Sequence, residues 1–349
     1  MSWFFFESKI EKEWDRFVEA QEESRFIHLI GFKRVIERIY KFEPFYLYFE
    51  KGVEILAIFS SFIHNSIFTG RKIVSQPFSE YGGLIFSNSL KEDEKNSILE
   101  ELFSILKNTM EKRSIKGVEI RGKTDKGVER FAQKIVLGEY GIRRFNKDND
   151  LWKSVDYMVR KAVNKAKREG VEIYEDQNFD KIKEFYHLHL MTMKRLGSPP
   201  HPYSYFLNLK KELKERIKIF YAIYKGRIIS ALLGWKVGKI IHITDNPSDE
   251  RFFPLRGNDY LHYHFLEWAK ENNFEFFDFG PMRYEGQEFY KRKWNLETYE
   301  YSILHYPQEL GTLAYKPPFY VKIARKIWRF VPKEFSRYIG KFLRKELGL

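Results

Sequence analysis

The feature that most constrains this chain is a repeated order of elements. YLYFEKGVEILA at residues 46–57 and YAIYKGRIISAL at residues 221–232 each read as two alternating strands around a tight turn, at Lys51-Gly52 and Lys225-Gly226. In the first half, strands are expected at 45–50 and 53–59, a third at 72–75, a long amphipathic helix over 91–112 and a closing strand at 117–121. In the second half the same order gives strands at 219–224, 228–235 and 239–244, a helix over 258–271 and a strand at 275–279. Helical segments precede both sets, at 9–21 and 34–40 and again at 155–169 and 180–195. The pattern predicts an α+β chain of two tandem lobes, with mixed, mostly antiparallel sheets and flanking helices. The expected boundaries are 1–150 and 151–312, followed by a tail at 313–349.

A chain of 349 residues is long enough to give each lobe its own core, and 43% hydrophobic against 31% charged residues describes a globular protein. The absence of cysteine excludes disulfides, thiolate metal sites and a cysteine nucleophile together. It suits a reducing compartment, and the many Lys and Glu residues suit a heat-adapted protein. The opening MSWFFFESKIEKEW has no basic leader, long apolar stretch or cleavage site, and no segment reaches the roughly 20 apolar residues of a membrane span. A cytoplasmic protein is expected, at most peripheral on the inner face of the membrane.

The net charge of +13 is unevenly placed: residues 316–349 hold ten Lys/Arg and two Asp/Glu. Tyr320, Ile323, Ala324, Ile327 and Val331 follow helical spacing, with Lys322, Arg325, Lys326 and Arg329 between them. Beyond Pro332, Phe335, Tyr338, Ile339, Phe342 and Leu343 form a second apolar side, with Lys333, Arg337, Lys341 and Arg344 around it. Three readings of this basic amphipathic tail stay open. Its apolar sides pack on the protein's own body, or it meets anionic lipid, or its cations meet nucleic acid, tRNA in particular.

Four local stretches go further. They are Ser75-Gln76-Pro77-Phe78-Ser79-Glu80-Tyr81-Gly82-Gly83; Val159-Arg160-Lys161-Ala162; Met193-Lys194-Arg195-Leu196-Gly197-Ser198-Pro199-Pro200-His201-Pro202, leading to Tyr205-Phe206; and Phe277-Asp278-Phe279-Gly280-Pro281 with Gly286-Gln287-Glu288-Phe289-Tyr290-Lys291-Arg292-Lys293-Trp294. In this order the chain resembles the FemABX-like aminoacyltransferases, relatives of the peptidoglycan-bridge enzymes that include BioF2-like acetyltransferases. The resemblance implies tandem GNAT-like lobes. It also implies transfer of an acyl group from an activated donor, aminoacyl-tRNA or acyl-CoA, to an amine acceptor on a cell-envelope or lipid-linked glycan precursor. No tightly bound cofactor and no metal are implied.

The Phe-Lys pair of the Fem enzymes corresponds to Tyr290 and Lys291 here. A fixed ammonium suits attack of an amine on an ester or thioester, which builds a tetrahedral oxyanion. Asp278 either orients Lys291 or the acceptor amine, or caps the backbone of the Gly280 turn. Arg160, Arg195, Tyr205, Arg283 and Tyr81 are the candidate substrate-binding residues. A CoA-dependent GNAT enzyme grips the diphosphate with a Gly-rich loop before a helix. The corresponding stretch holds only Arg256-Gly257-Asn258, the candidate cofactor contacts. Two alternatives follow: a CoA-dependent N-acetyltransferase acting on another amine, or a non-catalytic protein that binds tRNA or anionic lipid. There is no HExxH, no nucleophile elbow and no Walker loop, and His242, Asp245, His262 and His264 read as structural.

Overall fold

The computed structural model describes residues 2–122, 127–146, 150–308 and 326–347. Its contacts divide the chain into two compact units. The described residues of Met1–Gly138, Glu300–Pro318 and Phe342–Leu349 form unit 1, and those of Glu139–Tyr299 and Phe319–Lys341 form unit 2.

Unit 1 contains β1 (Ser2–Phe5), α1 (Glu11–Ala20), α2 (Ile30–Tyr40), β2 (Glu43–Lys51), β3 (Glu54–Ser66), β4 (Gly70–Val74), β5 (Gly83–Phe86), α3 (Glu92–Arg113), β6 (Gly117–Gly122) and the start of β7 (Gln133–Arg144). Strands β1 to β4 pair antiparallel in order. Helix α3 then crosses over, so that β6 lies parallel to β4, and β5 pairs with β3. One face of this sheet meets α3, where Ile98, Leu99, Leu102, Phe103 and Leu106 join Phe45, Leu47, Phe49 and Phe59 in the core.

Unit 2 repeats the plan. It runs from the end of β7 through α4 (Leu151–Ser154), α5 (Tyr157–Arg168), β8 (Val171–Glu175), α6 (Ile182–Leu196), α7 (Tyr203–Leu213), β9 (Ile217–Tyr224), β10 (Arg227–Val237), β11 (Ile240–Asp245), α8 (Gly257–Glu271), β12 (Phe276–Met282) and α9 (Glu285–Arg292). Strands β9, β10 and β11 form the antiparallel meander, and α8 crosses over to place β12 parallel to β11. The Lys225-Gly226 turn has φ of +49° and +73°, the paired positive values of a type I′ hairpin. The α8 side chains Leu261, Phe265, Leu266 and Ala269 pack with Phe220, Leu232, Ile241 and Phe277.

Strand β13 (Glu297–Tyr306) pairs antiparallel with β6 over its unit 1 residues. The last helix, α10 (Lys333–Leu347), ends in unit 1. There its Lys345 carbonyl meets His64 Nε2 at 2.6 Å and its Glu346 carbonyl accepts from Ser66 Oγ at 2.7 Å. The α+β class, the mixed and mostly antiparallel sheets and the flanking helices are as the sequence predicts. Of the apolar side expected for α10, Ile339 and Leu343 are half-buried whereas Phe335, Tyr338 and Phe342 are exposed, and Ser336 and Arg344 are buried. Lys322 and Arg325 lie outside the described residues. Among the described residues, no helix is long and apolar enough to cross a membrane, and no cluster of three or more acidic or imidazole groups could hold a metal.

Candidate active site

The site begins with a backbone irregularity in β12. Its register against β7 slips between Asp278 and Gly280. Gly280 has φ of +74°, a conformation that a Cβ would strain. Asp278, fully buried, accepts the Gly280 N–H at 2.8 Å and the Tyr140 hydroxyl at 2.9 Å. The bulge turns the Phe279 carbonyl out of the ladder, and the following Pro281 has a carbonyl but no N–H. Lys291 of α9 reaches back to both: its Nζ donates to the Phe279 carbonyl and, at 2.8 Å, to the Pro281 carbonyl.

Those contacts fix an ammonium in a poorly hydrated place. Burial lowers the Lys291 pKa to about 8; the Asp278 carboxylate pulls it upward and the Arg283 guanidinium downward. At neutral pH the group stays mostly charged. An ammonium has three N–H donors, and the two carbonyls take two of them.

Lys291 lines a cavity of about 560 Å³ together with Tyr290, His262, Asn258, Asp245 and Arg195. His262, on α8, has its Nδ1 2.9 Å from the Asn258 carbonyl and 3.0 Å from the Tyr290 hydroxyl. With its proton on Nδ1 the ring donates to the carbonyl, and with its proton on Nε2 it accepts from the Tyr290 hydroxyl, so Nδ1 is engaged in either tautomer. Burial lowers the His262 pKa to about 4, so the ring is neutral. The Asp245 carboxylate lies 3.7 Å from His189 Nδ1, and the Arg195 guanidinium sits 5.1 Å from the centre of the Phe253 ring. Cationic, anionic and neutral polar groups therefore share one wall, a lining suited to a polar substrate that carries an amine and a carbonyl.

A smaller cavity of about 200 Å³ lies at the start of α8, lined by Arg256, Gly257, Asn258, Asp249, Asp259 and Tyr290 among others. This is where a GNAT protein would seat the CoA diphosphate. Asp249 is buried and held by Arg227 and Arg251, at 3.2 and 2.5 Å. Asp259, in the first turn of α8, is buried at 3.4 Å from Lys293, and desolvation raises its pKa. The Asn258 Oδ1 already accepts from Ser248 Oγ at 3.0 Å. Both carboxylates are thus paired with cations, and Arg256 is the one guanidinium among the residues lining this cavity at the start of α8.

The remaining candidates are placed elsewhere. Arg160 directs its guanidinium to the Val155, Trp152 and Lys153 carbonyls, at 2.6, 3.3 and 3.3 Å, and does not line the cavity. Tyr205 is buried, its ring stacked 3.9 Å from that of His201. Arg283 is exposed beside α9 and acts on Lys291 through its field. Tyr81 belongs to unit 1, buried under the Arg25 guanidinium at 4.8 Å. Of the tail cations, Lys326, Arg329, Arg337 and Lys341 are exposed.

The structure adds His262 and Asp245 to the wall, two residues that sequence reasoning assigns to structural roles. The signal for His262 is its i,i+4 spacing from Asn258, which puts both on the cavity face of α8. His264 is a packing residue by comparison, its ring edge-on to Phe220 at 5.0 Å.

Residues 153–292, most of unit 2, match the family model of the acetyltransferase (GNAT) domain. The matched stretch is an acyltransferase domain within unit 2, and it spans 140 of the 349 residues. The chain's fold is FemABX-like: the structure resembles that of FemX with a TM-score of 0.67 and 14% identity, covering 90% of this chain and 100% of that one. It also resembles the C-terminal domain of a putative lysylphosphatidylglycerol synthetase from Agrobacterium fabrum (TM-score 0.59, 11% identity, 88% and 95% coverage). A tandem GNAT protein from the clavulanic acid biosynthesis pathway matches with a TM-score of 0.57 and 8% identity, at 87% and 97% coverage. No curated protein matches the sequence.

Proposed function

We propose that the larger cavity of unit 2 is where an amine attacks the carbonyl of an aminoacyl-tRNA ester. The observation that carries this reading is Lys291, its ammonium fixed on two backbone carbonyls at the cavity wall. The amine nitrogen forms a bond to the acyl carbon and the carbonyl oxygen becomes an oxyanion, which the third N–H of Lys291 meets. Collapse breaks the acyl C–O bond, and the proton lost by nitrogen leaves on the departing hydroxyl. The acceptor attacks as a neutral amine, any ammonium form having first released a proton to solvent, and neutral His262, with Nε2 unprotonated, accepts a hydrogen bond from that amine and aims its lone pair.

An ester donor is preferred to a CoA thioester on the FemABX-like resemblance of the sequence and because only Arg256-Gly257-Asn258 stands where a CoA enzyme carries its full Gly-rich loop. The acceptor proposed is a lipid-linked or envelope-glycan amine, as the FemABX-like resemblance of the sequence implies, with the reaction on the cytoplasmic side of a membrane. The test is thermal denaturation of the purified chain with acetyl-CoA, with uncharged tRNA and with aminoacylated tRNA, at two salt concentrations. The expected result is a shift with charged tRNA that exceeds that with uncharged tRNA and survives moderate salt. A shift with acetyl-CoA that is lost in Arg256→Ala would replace this reading with a CoA-dependent N-acetyltransferase.

A further inference from the structure

The helical tail carries its side chains the wrong way round for a helix that only covers its own protein. In the unit 2 part of the tail, Trp328 and Ser336 are buried, and Gly340 sits so close to Pro200 that a Cβ there would come within 2.8 Å of the Pro200 carbonyl oxygen. Ile339 and Leu343 are half-buried on the inner side, but several large apolar side chains point outward: Phe330 is 85% exposed, Tyr338 76%, Ile327 60% and Phe335 57%. On α10, Phe335 and Tyr338 lie about 60° apart around the axis, and Phe342, also exposed, falls between them. Lys326 and Arg329 before α10 are exposed, as are Arg337 and Lys341 on it, with Lys341 nearer than Arg337 to the aromatic side. Residues 326–347 hold seven Lys/Arg against two Glu, and one of these, Glu346, is buried and accepts from the Ile67 N–H at 2.8 Å.

We infer that this face is a docking surface for an anionic membrane, on which the aromatics enter the interfacial layer and the cations meet lipid headgroups. Aromatic rings left in water have no stabilising role in the folded chain, whereas at a bilayer interface they bury apolar area while the flanking cations gain charge complementarity. Four exposed cations are ample for attraction to acidic headgroups, and four outward rings give the second, apolar signal that reversible anchoring needs. A nucleic-acid strand would use the cations and could stack on a ring, but it would gain nothing from Ile327. The inference does not depend on the donor or acceptor of the proposed reaction, since the face lies on the tail and includes no residue of the cavity wall.

The experiment is flotation of the full chain with vesicles of phosphatidylcholine alone and of phosphatidylcholine with 30% phosphatidylglycerol. It compares the natural sequence with the triple variant Phe330→Ser/Phe335→Ser/Tyr338→Ser and with Arg329→Gln/Arg337→Gln/Lys341→Gln. The expected result is binding to the anionic vesicles only, weakened at least tenfold by either triple variant, with unchanged melting temperatures because the side chains removed are exposed. Three results would overturn the proposal: no flotation with the anionic vesicles at low salt, equal flotation of the aromatic variant, or an aromatic face that proves to hold a dimer which the serine variant converts to monomer without vesicle binding. Tight binding of single-stranded RNA without vesicle binding would also overturn it.

Discussion

Replacing Lys291 by Met tests the central side chain without any knowledge of the substrate. The ordinary lysine value is 10.5, and burial brings Lys291 to about 8. That gap corresponds to about 3 kcal/mol by which the buried charge weakens the fold when both states are protonated. Between the two values the unfolded chain holds a proton that the native chain has released, so stability rises with pH across this window. Below pH 8 the full cost is present; above 10.5 it is gone. Lys291→Met has no such titration. The natural protein should therefore gain about 2 kcal/mol of stability relative to the variant between pH 7 and 9.5. Urea denaturation of both proteins at both pH values measures this as a difference of differences, in which every other titrating group cancels. A stability gap that is the same at pH 7 and 9.5 would refute the claim that Lys291 is a desolvated ammonium. With a substrate in hand, the same variant should lose about 10²–10³ in turnover, the usual effect of removing an oxyanion donor.

Further outcomes follow from the same geometry. If Lys291 acts as a cation, the rate of acyl transfer falls as pH rises through about 8; a pH–rate profile that climbs there would assign it the role of base instead. Lys293→Met strands the buried Asp259 carboxylate, 3.4 Å from the lost ammonium, and should cost about 3 kcal/mol at pH 7, measured by denaturant unfolding. Because desolvation already raises the Asp259 pKa, that loss should shrink as the pH is lowered and the carboxyl takes up a proton. Gly234→Ala would bring a Cβ within 2.7 Å of Phe265 Cζ and 2.9 Å of Ile243 Cδ1, and should lower stability by about 1–3 kcal/mol in a thermal melt.

The repeated core was legible because hairpin turns and helix periodicity are local signals. The Lys-Gly turns, the helix before β6 and the helix before β12 lie within about two residues of where the sequence puts them. Strands that pair only with distant partners were not legible. In β7, QKIVLGEYGIRR carries two glycines that mimic turns, and β1, SWFF, is too short for alternation to show. Lys291 and Asp278 were found through a motif, and the cap of Asp278 on the Gly280 turn was one of the roles expected, but the bulge that frees one carbonyl for Lys291 was not legible. Arg160 shows the converse limit, since nothing in its helix reveals that neighbouring carbonyls already occupy its guanidinium. The tail fails for a third reason. Periodicity shows that a helix has two sides and cannot say which one faces inward.

Helix α9 has eight residues, none fully enclosed, and Tyr290 and Lys291 are half-buried with their polar ends turned inward. Much of what holds it is the Lys291 ammonium on the β12 carbonyls and the Tyr290 hydroxyl on His262. The groups proposed to meet the reacting atoms are thus also the fastenings of their own scaffold, so local opening and loss of the site are one event. Amide hydrogen exchange should report this directly. The backbone of residues 285–292 should exchange by a low-energy opening in the free protein, and a ligand that engages Lys291 should slow it more than that of the core helix α8.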